Sequence, residues 1–179
     1  MTTKKVVTVT LNPALDLTGH LPTLNLGTVN LVDKGNLHAA GKGINVAKVL
    51  HELGAEVTVT GLLGSDNEEL FCQLFSELAI NDQFVRVKGA TRINVKLVEQ
   101  CGRTSDMNFP GIEVSPQETA ELQNTLFRLA EDHDYFVIAG SLPKGVSPSL
   151  CSHWVKRLGE MGKKVLFDSS RAALVEGLK

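Results

Sequence analysis

Short apolar runs rich in β-branched residues alternate along the chain with segments of helical period. Residues 6–11, 57–62, 135–139 and 165–167 are apolar stretches bounded by Gly, Asn or Asp. Near-continuous apolarity over so few residues marks strands covered on both faces. Between them, Val46, Val49, Leu50 and Leu53 repeat at i, i+3, i+4 and i+7 and stop at Gly54, and Leu70, Phe71, Leu74, Phe75 and Leu78 draw a second stripe. Ser115-Pro116-Gln117-Glu118 combines a hydroxyl N-cap, a proline at the first helical position and a glutamate three residues after the cap, ahead of Leu122, Leu126 and Leu129. Ser147-Pro148 repeats the start signal before Leu150, Trp154 and Leu158. Strands alternating with helices predict a layered α/β fold built on a parallel sheet with right-handed crossovers.

Two stretches break this rhythm. Residues 15–36 carry Gly19, Pro22, Gly27 and Gly35 between short apolar pieces, and residues 84–109 read as strand, strand, a turn at Gln100-Cys101-Gly102, and strand. Both are expected to be antiparallel strands inserted into the parallel core as a small cover over one end of it. A last helix-like segment is expected over 171–178.

The composition of the 179 residues is that of an ordinary globular domain, with 42% hydrophobic and 21% charged residues. Eighteen Lys plus Arg against 20 Asp plus Glu give a net charge of −2, so no basic face for nucleic acid is expected. No apolar run approaches the roughly 20 residues that span a bilayer, and the amino terminus enters the first strand without a leader. No membrane association and a cytoplasmic location are therefore expected. The three cysteines, Cys72, Cys101 and Cys151, and the five histidines match no metal or redox spacing, and are expected to be structural thiols and ordinary imidazoles. No metal ligands and no catalytic residue are assigned within these residues.

Three features can carry chemistry. Ala39-Ala40-Gly41-Lys42-Gly43-Ile44-Asn45 leads directly into a helix, where small residues, unpaired N–H groups and a lysine suit an anion or a polyhydroxylated ligand. It is neither a Walker A loop nor a dinucleotide fingerprint, and a connection with a solvated lysine is the plainer alternative. In Thr91-Arg92-Ile93-Asn94-Val95-Lys96-Leu97, period 2 puts Arg92, Asn94 and Lys96 on one face. That face suits a phosphorylated small molecule or is the wet side of a half-exposed sheet. Asp16, just past the first strand, can accept hydrogen bonds from vicinal hydroxyls or cap a turn. Gly140-Ser141 and Phe167-Asp168-Ser169-Ser170 likewise place polar residues at strand ends, and capping of the next helix is the expected task of Asp168.

Taken together and in order, Thr10-Leu11-Asn12-Pro13-Ala14-Leu15-Asp16, Ala40-Gly41-Lys42-Gly43-Ile44-Asn45-Val46-Ala47, Thr91 to Lys96, Phe109-Pro110-Gly111, Gly140-Ser141-Leu142-Pro143-Lys144-Gly145-Val146 and Phe167-Asp168-Ser169-Ser170 resemble the phosphofructokinase B branch of the ribokinase-like sugar kinases. The resemblance runs along essentially the whole chain. It implies a ribokinase-like three-layer α/β fold with a mostly parallel central sheet and an inserted antiparallel β lid, in which 1–179 is the amino-terminal portion of the kinase domain, 15–36 and 84–109 are the lid strands, and the carboxy-terminal part lies beyond. It also implies phosphoryl transfer from ATP, with Mg²⁺, to the 6-hydroxyl of fructose 1-phosphate, giving fructose 1,6-bisphosphate. Fructose 6-phosphate and tagatose 6-phosphate are the alternatives within the family, and Lys42 favours the 1-phosphate. On this reading Asp16, Gly41, Lys42, Gly43 and Asn45 line the sugar pocket, Arg92 and Lys96 grip the substrate phosphate with Asn94 between them, and Ser141 lies beside it. The lid pairs two subunits into a homodimer. The family's catalytic aspartate lies in a Gly-Ala-Gly-Asp sequence that these 179 residues lack, so the chain alone is expected to be inactive. A non-catalytic sugar-phosphate-binding module and a self-associating product with an open sheet edge are the competing readings.

Overall fold

The structure is a computed structural model that describes residues 4–169 and 175–176. The helix expected over 171–178 and the Ser170 position lie almost wholly outside the described residues. In chain order the elements are β1 (Lys5–Thr10), β2 (Ala14–Leu21), β3 (Lys34–Ala40), α1 (Lys42–Glu52), β4 (Glu56–Gly64), α2 (Glu69–Glu77), β5 (Asn81–Asp82), β6 (Val85–Val87), β7 (Ile93–Glu99), β8 (Thr104–Asn108), α3 (Pro116–Leu129), β9 (Tyr135–Ala139), α4 (Pro148–Glu160) and β10 (Lys164–Asp168).

The central sheet has the order β10-β9-β1-β4-β5, with β6 also paired to β4. Its pairings are parallel. The apolar runs account for this: β1 is buried along nearly its whole length, as a strand covered by helices on both faces must be. On one face Val7, Val9, Phe136 and Ile138 meet Leu122 and Leu126 of α3 and Trp154 and Leu158 of α4. On the other, Val57, Val59 and Leu63 meet Ile44 and Ala47 of α1 and Phe71 and Phe75 of α2. At the end of α3, buried His133 contacts the Leu129 carbonyl through Nδ1 at 3.0 Å and Thr58 Oγ1 through Nε2 at 3.1 Å. That pairing ties the helix to β4.

The inserted strands form a second sheet with the order β3-β2-β7-β8. Its outer pairs are antiparallel, but β2 and β7 run parallel, which corrects the expectation of an antiparallel cover. The cause is topological: β1 and β6 are parallel to β4, and each passes through a short link into the second sheet, so β2 and β7 leave in the same direction. Two boundaries also move. Residues 85–87 belong with β4, and β3 continues past residue 36 to Ala40. Register places Asp16, Thr18, His38, Asn94, Lys96 and Asp106 on one face, and Leu15, Leu17, Leu37, Val95, Leu97 and Met107 on the other.

α1 begins at Lys42, four residues earlier than its apolar stripe suggests, with Gly41 as N-cap. Gly43 permits the early start, because a Cβ there would lie 2.4 Å from Thr10 Oγ1 and 2.8 Å from the Val9 carbonyl oxygen. The glycine-rich stretch is thus a close helix–strand contact and not a loose loop. No described helix is long and apolar enough to cross a membrane.

The helix caps and the cysteines give two tests. In α3 the Ser115 side chain accepts from the Glu118 N–H and the Glu118 carboxylate accepts from the Ser115 N–H. Ser115→Ala is expected to lower unfolding stability by about 1 kcal/mol, read as a lower denaturation midpoint with unchanged slope. The cysteines are free. The Arg103 N–H and guanidinium lower the exposed Cys101 thiol's pKa, whereas burial pushes Cys151 up to about 11. A lower pKa means more thiolate near neutral pH. Alkylation should therefore mark Cys101 first and Cys151 only on unfolding, and prompt labelling of Cys151 in the folded protein would contradict the packing.

Candidate sugar-phosphate site

From β1 the chain builds β4 to β6 on one side of the sheet and β9 and β10 on the other, so strand order reverses beside β1. Such a switch point, at the carboxyl ends of parallel strands, leaves a crevice between diverging connections. Here Asn12 follows β1, Ser141 follows β9, and Asn12 Nδ2 donates to Ser141 Oγ at 3.1 Å across the gap. The polar face of the second sheet stands over the crevice and closes it into a cleft of about 350 Å³.

Asp16, Gly41, Lys42, Asn45, Arg92, Asn94 and Ser141 all line this cleft. They come from β2, the start of α1, the entry to β7 and the end of β9, so distant sequence positions converge. Gly43 lies beneath the cleft as the packing residue described above. Lys96 does not line it. Four residues beyond Arg92, about 13 Å along a strand, Lys96 lines an adjoining hollow of about 250 Å³ and sits 3.7 Å from Asp106. Asp16 and Asn94 border both spaces.

Five further lining residues, Thr10, Asn12, Ala14, Gly140 and Ser169, lay in the strand-end motifs but were not singled out as site residues. Asp168 also differs from expectation. Its carboxylate accepts both hydrogen bonds from Lys42 Nζ, at 3.1 and 3.2 Å, bridging β10 to the start of α1. The lysine is therefore neither a freely solvated group nor an isolated charge.

Arg92 is held differently. Nε donates to the Pro13 carbonyl at 3.3 Å, Nη1 to Phe109 at 3.4 Å and Nη2 to Asn12 at 3.1 Å. Carbonyls orient a guanidinium but do not neutralise it, and among the described residues Arg92 makes no ion pair with a carboxylate. Burial lowers its pKa, opposed by the field of Asp16, yet a guanidinium stays charged near neutral pH. The result is an oriented positive charge with N–H groups to spare.

The hydroxyl-binding side is equally specific. Asn94 Nδ2 donates to Asp16 Oδ1 at 3.2 Å, which fixes the amide so that Asn94 Oδ1 is left as an acceptor. Among the described residues, the buried side-chain polar atoms without a partner are Thr8 Oγ1, Thr10 Oγ1 and Asn94 Oδ1. Two of those three residues line this cleft. An unpaired buried polar atom costs on the order of 1–3 kcal/mol.

The donor set suits a sugar ester and not a nucleotide base, since among the described residues the cleft wall has no aromatic or branched aliphatic side chain for a purine to stack on. No group of three or more His, Cys, Asp or Glu side chains converges among the described residues. These residues therefore form no all-protein cage for a divalent cation, whereas Mg²⁺ is commonly held by one or two carboxylates together with substrate phosphates.

The chain is 66% identical to the 1-phosphofructokinase of Vibrio cholerae serotype O1 and 51% identical to that of Escherichia coli K12, each over 98% of this chain. It spans about half, 56%, of the length of those relatives. Among solved structures, a possible 1-phosphofructokinase from Thermotoga maritima superposes with a TM-score of 0.88 at 29% identity, over 97% of this chain and 56% of that one. Phosphofructokinase-2 from Escherichia coli does so with 0.88 at 25%, over 98% and 57%. This is the ribokinase-like fold expected from the motifs, with a second sheet that is mixed. The model of the pfkB family of carbohydrate kinases matches residues 9–178, and the chain belongs to that family.

Proposed function

We propose that this chain forms the acceptor-sugar half of an ATP-dependent sugar-phosphate kinase that transfers the γ-phosphoryl group of ATP to the 6-hydroxyl of fructose 1-phosphate, giving fructose 1,6-bisphosphate. The observation that carries this reading is one cleft containing an oriented, unneutralised Arg92 beside two unpartnered buried polar side chains, Thr10 and Asn94. Cation and acceptors together suit a ligand that is anionic at one end and polyhydroxylated along the rest. The names of the relatives supply the particular ketose ester and the reaction. Arg92 holds the ester phosphate, and Asp16, Asn94 and Asn45 receive the hydroxyls, with Lys42 along the sugar pocket and Ser141 closing the far wall. Anchoring C1 in this way leaves the terminal 6-hydroxyl as the nucleophile.

ATP and Mg²⁺ belong to the activity of the longer protein. The Gly-Ala-Gly-Asp sequence that the resemblance assigns to the catalytic aspartate is absent from these residues. Base and nucleotide contacts are what positioning and charge neutralisation in phosphoryl transfer depend on. The 179 residues alone therefore bind the sugar ester without turning it over. A cytoplasmic location fits a phosphorylated metabolite as substrate. The apolar face of the second sheet, where Leu37 and Met107 are half-exposed, serves as the contact between two copies in a homodimer.

Calorimetry of the complete protein with fructose 1-phosphate, fructose 6-phosphate and tagatose 6-phosphate tests the substrate. The 1-phosphate should bind most tightly, Arg92→Ala should weaken it by about 100-fold, and Asp16→Asn by about tenfold. Preference for a 6-phosphate sugar, or an unaltered affinity in Arg92→Ala, would overturn the assignment. Sedimentation of Leu37→Asp/Met107→Lys should give a monomer where the parent gives a dimer; an intact dimer in the double variant would place the contact elsewhere.

A further inference from the structure

Thr91 carries the chain from β6 of the central sheet into β7 of the second, one residue before the Arg92 guanidinium. All of its polar groups are engaged by the end of β4 and the turn after it. Gly64 N–H donates to Thr91 Oγ1 at 3.0 Å, Thr91 N–H donates to Asn67 Oδ1 at 2.7 Å, and Asn67 Nδ2 donates to the Thr91 carbonyl at 2.9 Å. The Asn67 amide thus pairs with both sides of one residue's backbone. Thr91 is only 3% exposed, so water does not compete for these bonds.

The approach is also sterically closed. A Cβ at Gly64 would lie 2.3 Å from the Thr91 nitrogen, so the strand end and the crossing segment touch backbone to backbone. A second tie, from Asp66 N–H to the Gly89 carbonyl at 3.1 Å, secures the same segment two residues earlier. Neither Asn67 nor Thr91 lines the cleft. On the other side, Leu15 N–H donates to the Arg92 carbonyl at 2.8 Å, so the Arg92 backbone is fixed from both directions. Its side-chain bonds to carbonyls are by contrast long, at 3.1 to 3.4 Å, and a long side chain so held points where its backbone sends it.

We propose that Asn67, acting with Thr91 and Gly64, is a positioning residue: it pins the backbone ahead of Arg92 so that the guanidinium presents its spare N–H groups to the anionic end of the substrate. This rests on the reading of the cleft as a site for a phosphorylated ketose. Asn67 sets affinity for the phosphate group without touching it, and the turn after β4 becomes part of the specificity apparatus.

The test uses the complete protein with Asn67→Ala, Thr91→Val and the hydroxyl-preserving Thr91→Ser. The first readout needs no ligand: exchange of the Arg92 Nε proton by NMR, its resonance assigned from its loss in Arg92→Lys. The second is the affinity for fructose 1-phosphate at low and high ionic strength. Asn67→Ala and Thr91→Val should speed Nε exchange, raise the Kd about tenfold and flatten its salt dependence, while Thr91→Ser stays close to the parent in all three. Should Thr91→Val melt too early for study, Asn67→Ser carries the same expectation. Unchanged Nε exchange in the Asn67 variants would overturn the proposal, as would a weaker Kd with undiminished salt dependence, since that is general loosening and not a misplaced charge. A parent protein that binds no fructose 1-phosphate would sink the substrate reading, and the exchange comparison would still decide the positioning.

Discussion

The site depends on a single half-buried constraint, a guanidinium fixed by neutral carbonyls. Arg92 donates to Asn12 and Pro13 in the link from β1 to β2, and to Phe109 where the chain leaves β8. It therefore fastens three of the connections that join the two sheets. Had a carboxylate done the fastening, the charge would have been spent within the protein; carbonyls leave most of it available. The sheets are thus held in register by the same group that is proposed to hold the ester phosphate.

The rest of the cleft is organised by the same economy of partners. Asn94 uses its donor on Asp16, and its oxygen is buried without a partner. Lys42 is matched by Asp168, which places a lysine at a helix start where it would otherwise meet the positive end of the helix dipole. Small residues permit these approaches: Gly43 brings α1 against β1, and the absence of a side chain at Gly64 lets the crossing strand sit against β4. Packing and recognition therefore share the same atoms, and substitutions at these glycines act on both.

Much of this was legible in the sequence because strands buried on both faces read as apolar runs, and both capped helices, α3 and α4, announce their starts with Ser-Pro. The alternation from Arg92 to Leu97 gave the two faces of β7 correctly, polar toward the cleft and apolar away from it. What periodicity does not encode is partner choice. Nothing local distinguishes β6, which pairs with β4, from β7, which pairs with β2, and the parallel pairing of β2 and β7 follows from the direction in which the central strands exit. Lys96 shares a face with Arg92, yet strand rise carries it into the next hollow, a distance that a face assignment alone does not convey. Asp168 read as a helix cap because its partner, Lys42, lies 126 residues away.

A crystal structure of the complete protein with fructose 1-phosphate bound addresses the central claim most directly. The ester phosphate is expected within about 3 Å of an Arg92 N–H group, with a ketose hydroxyl donating to Asn94 Oδ1 beside Asp16. A phosphate seated away from Arg92, with the guanidinium still turned only to the Asn12, Pro13 and Phe109 carbonyls, would contradict it.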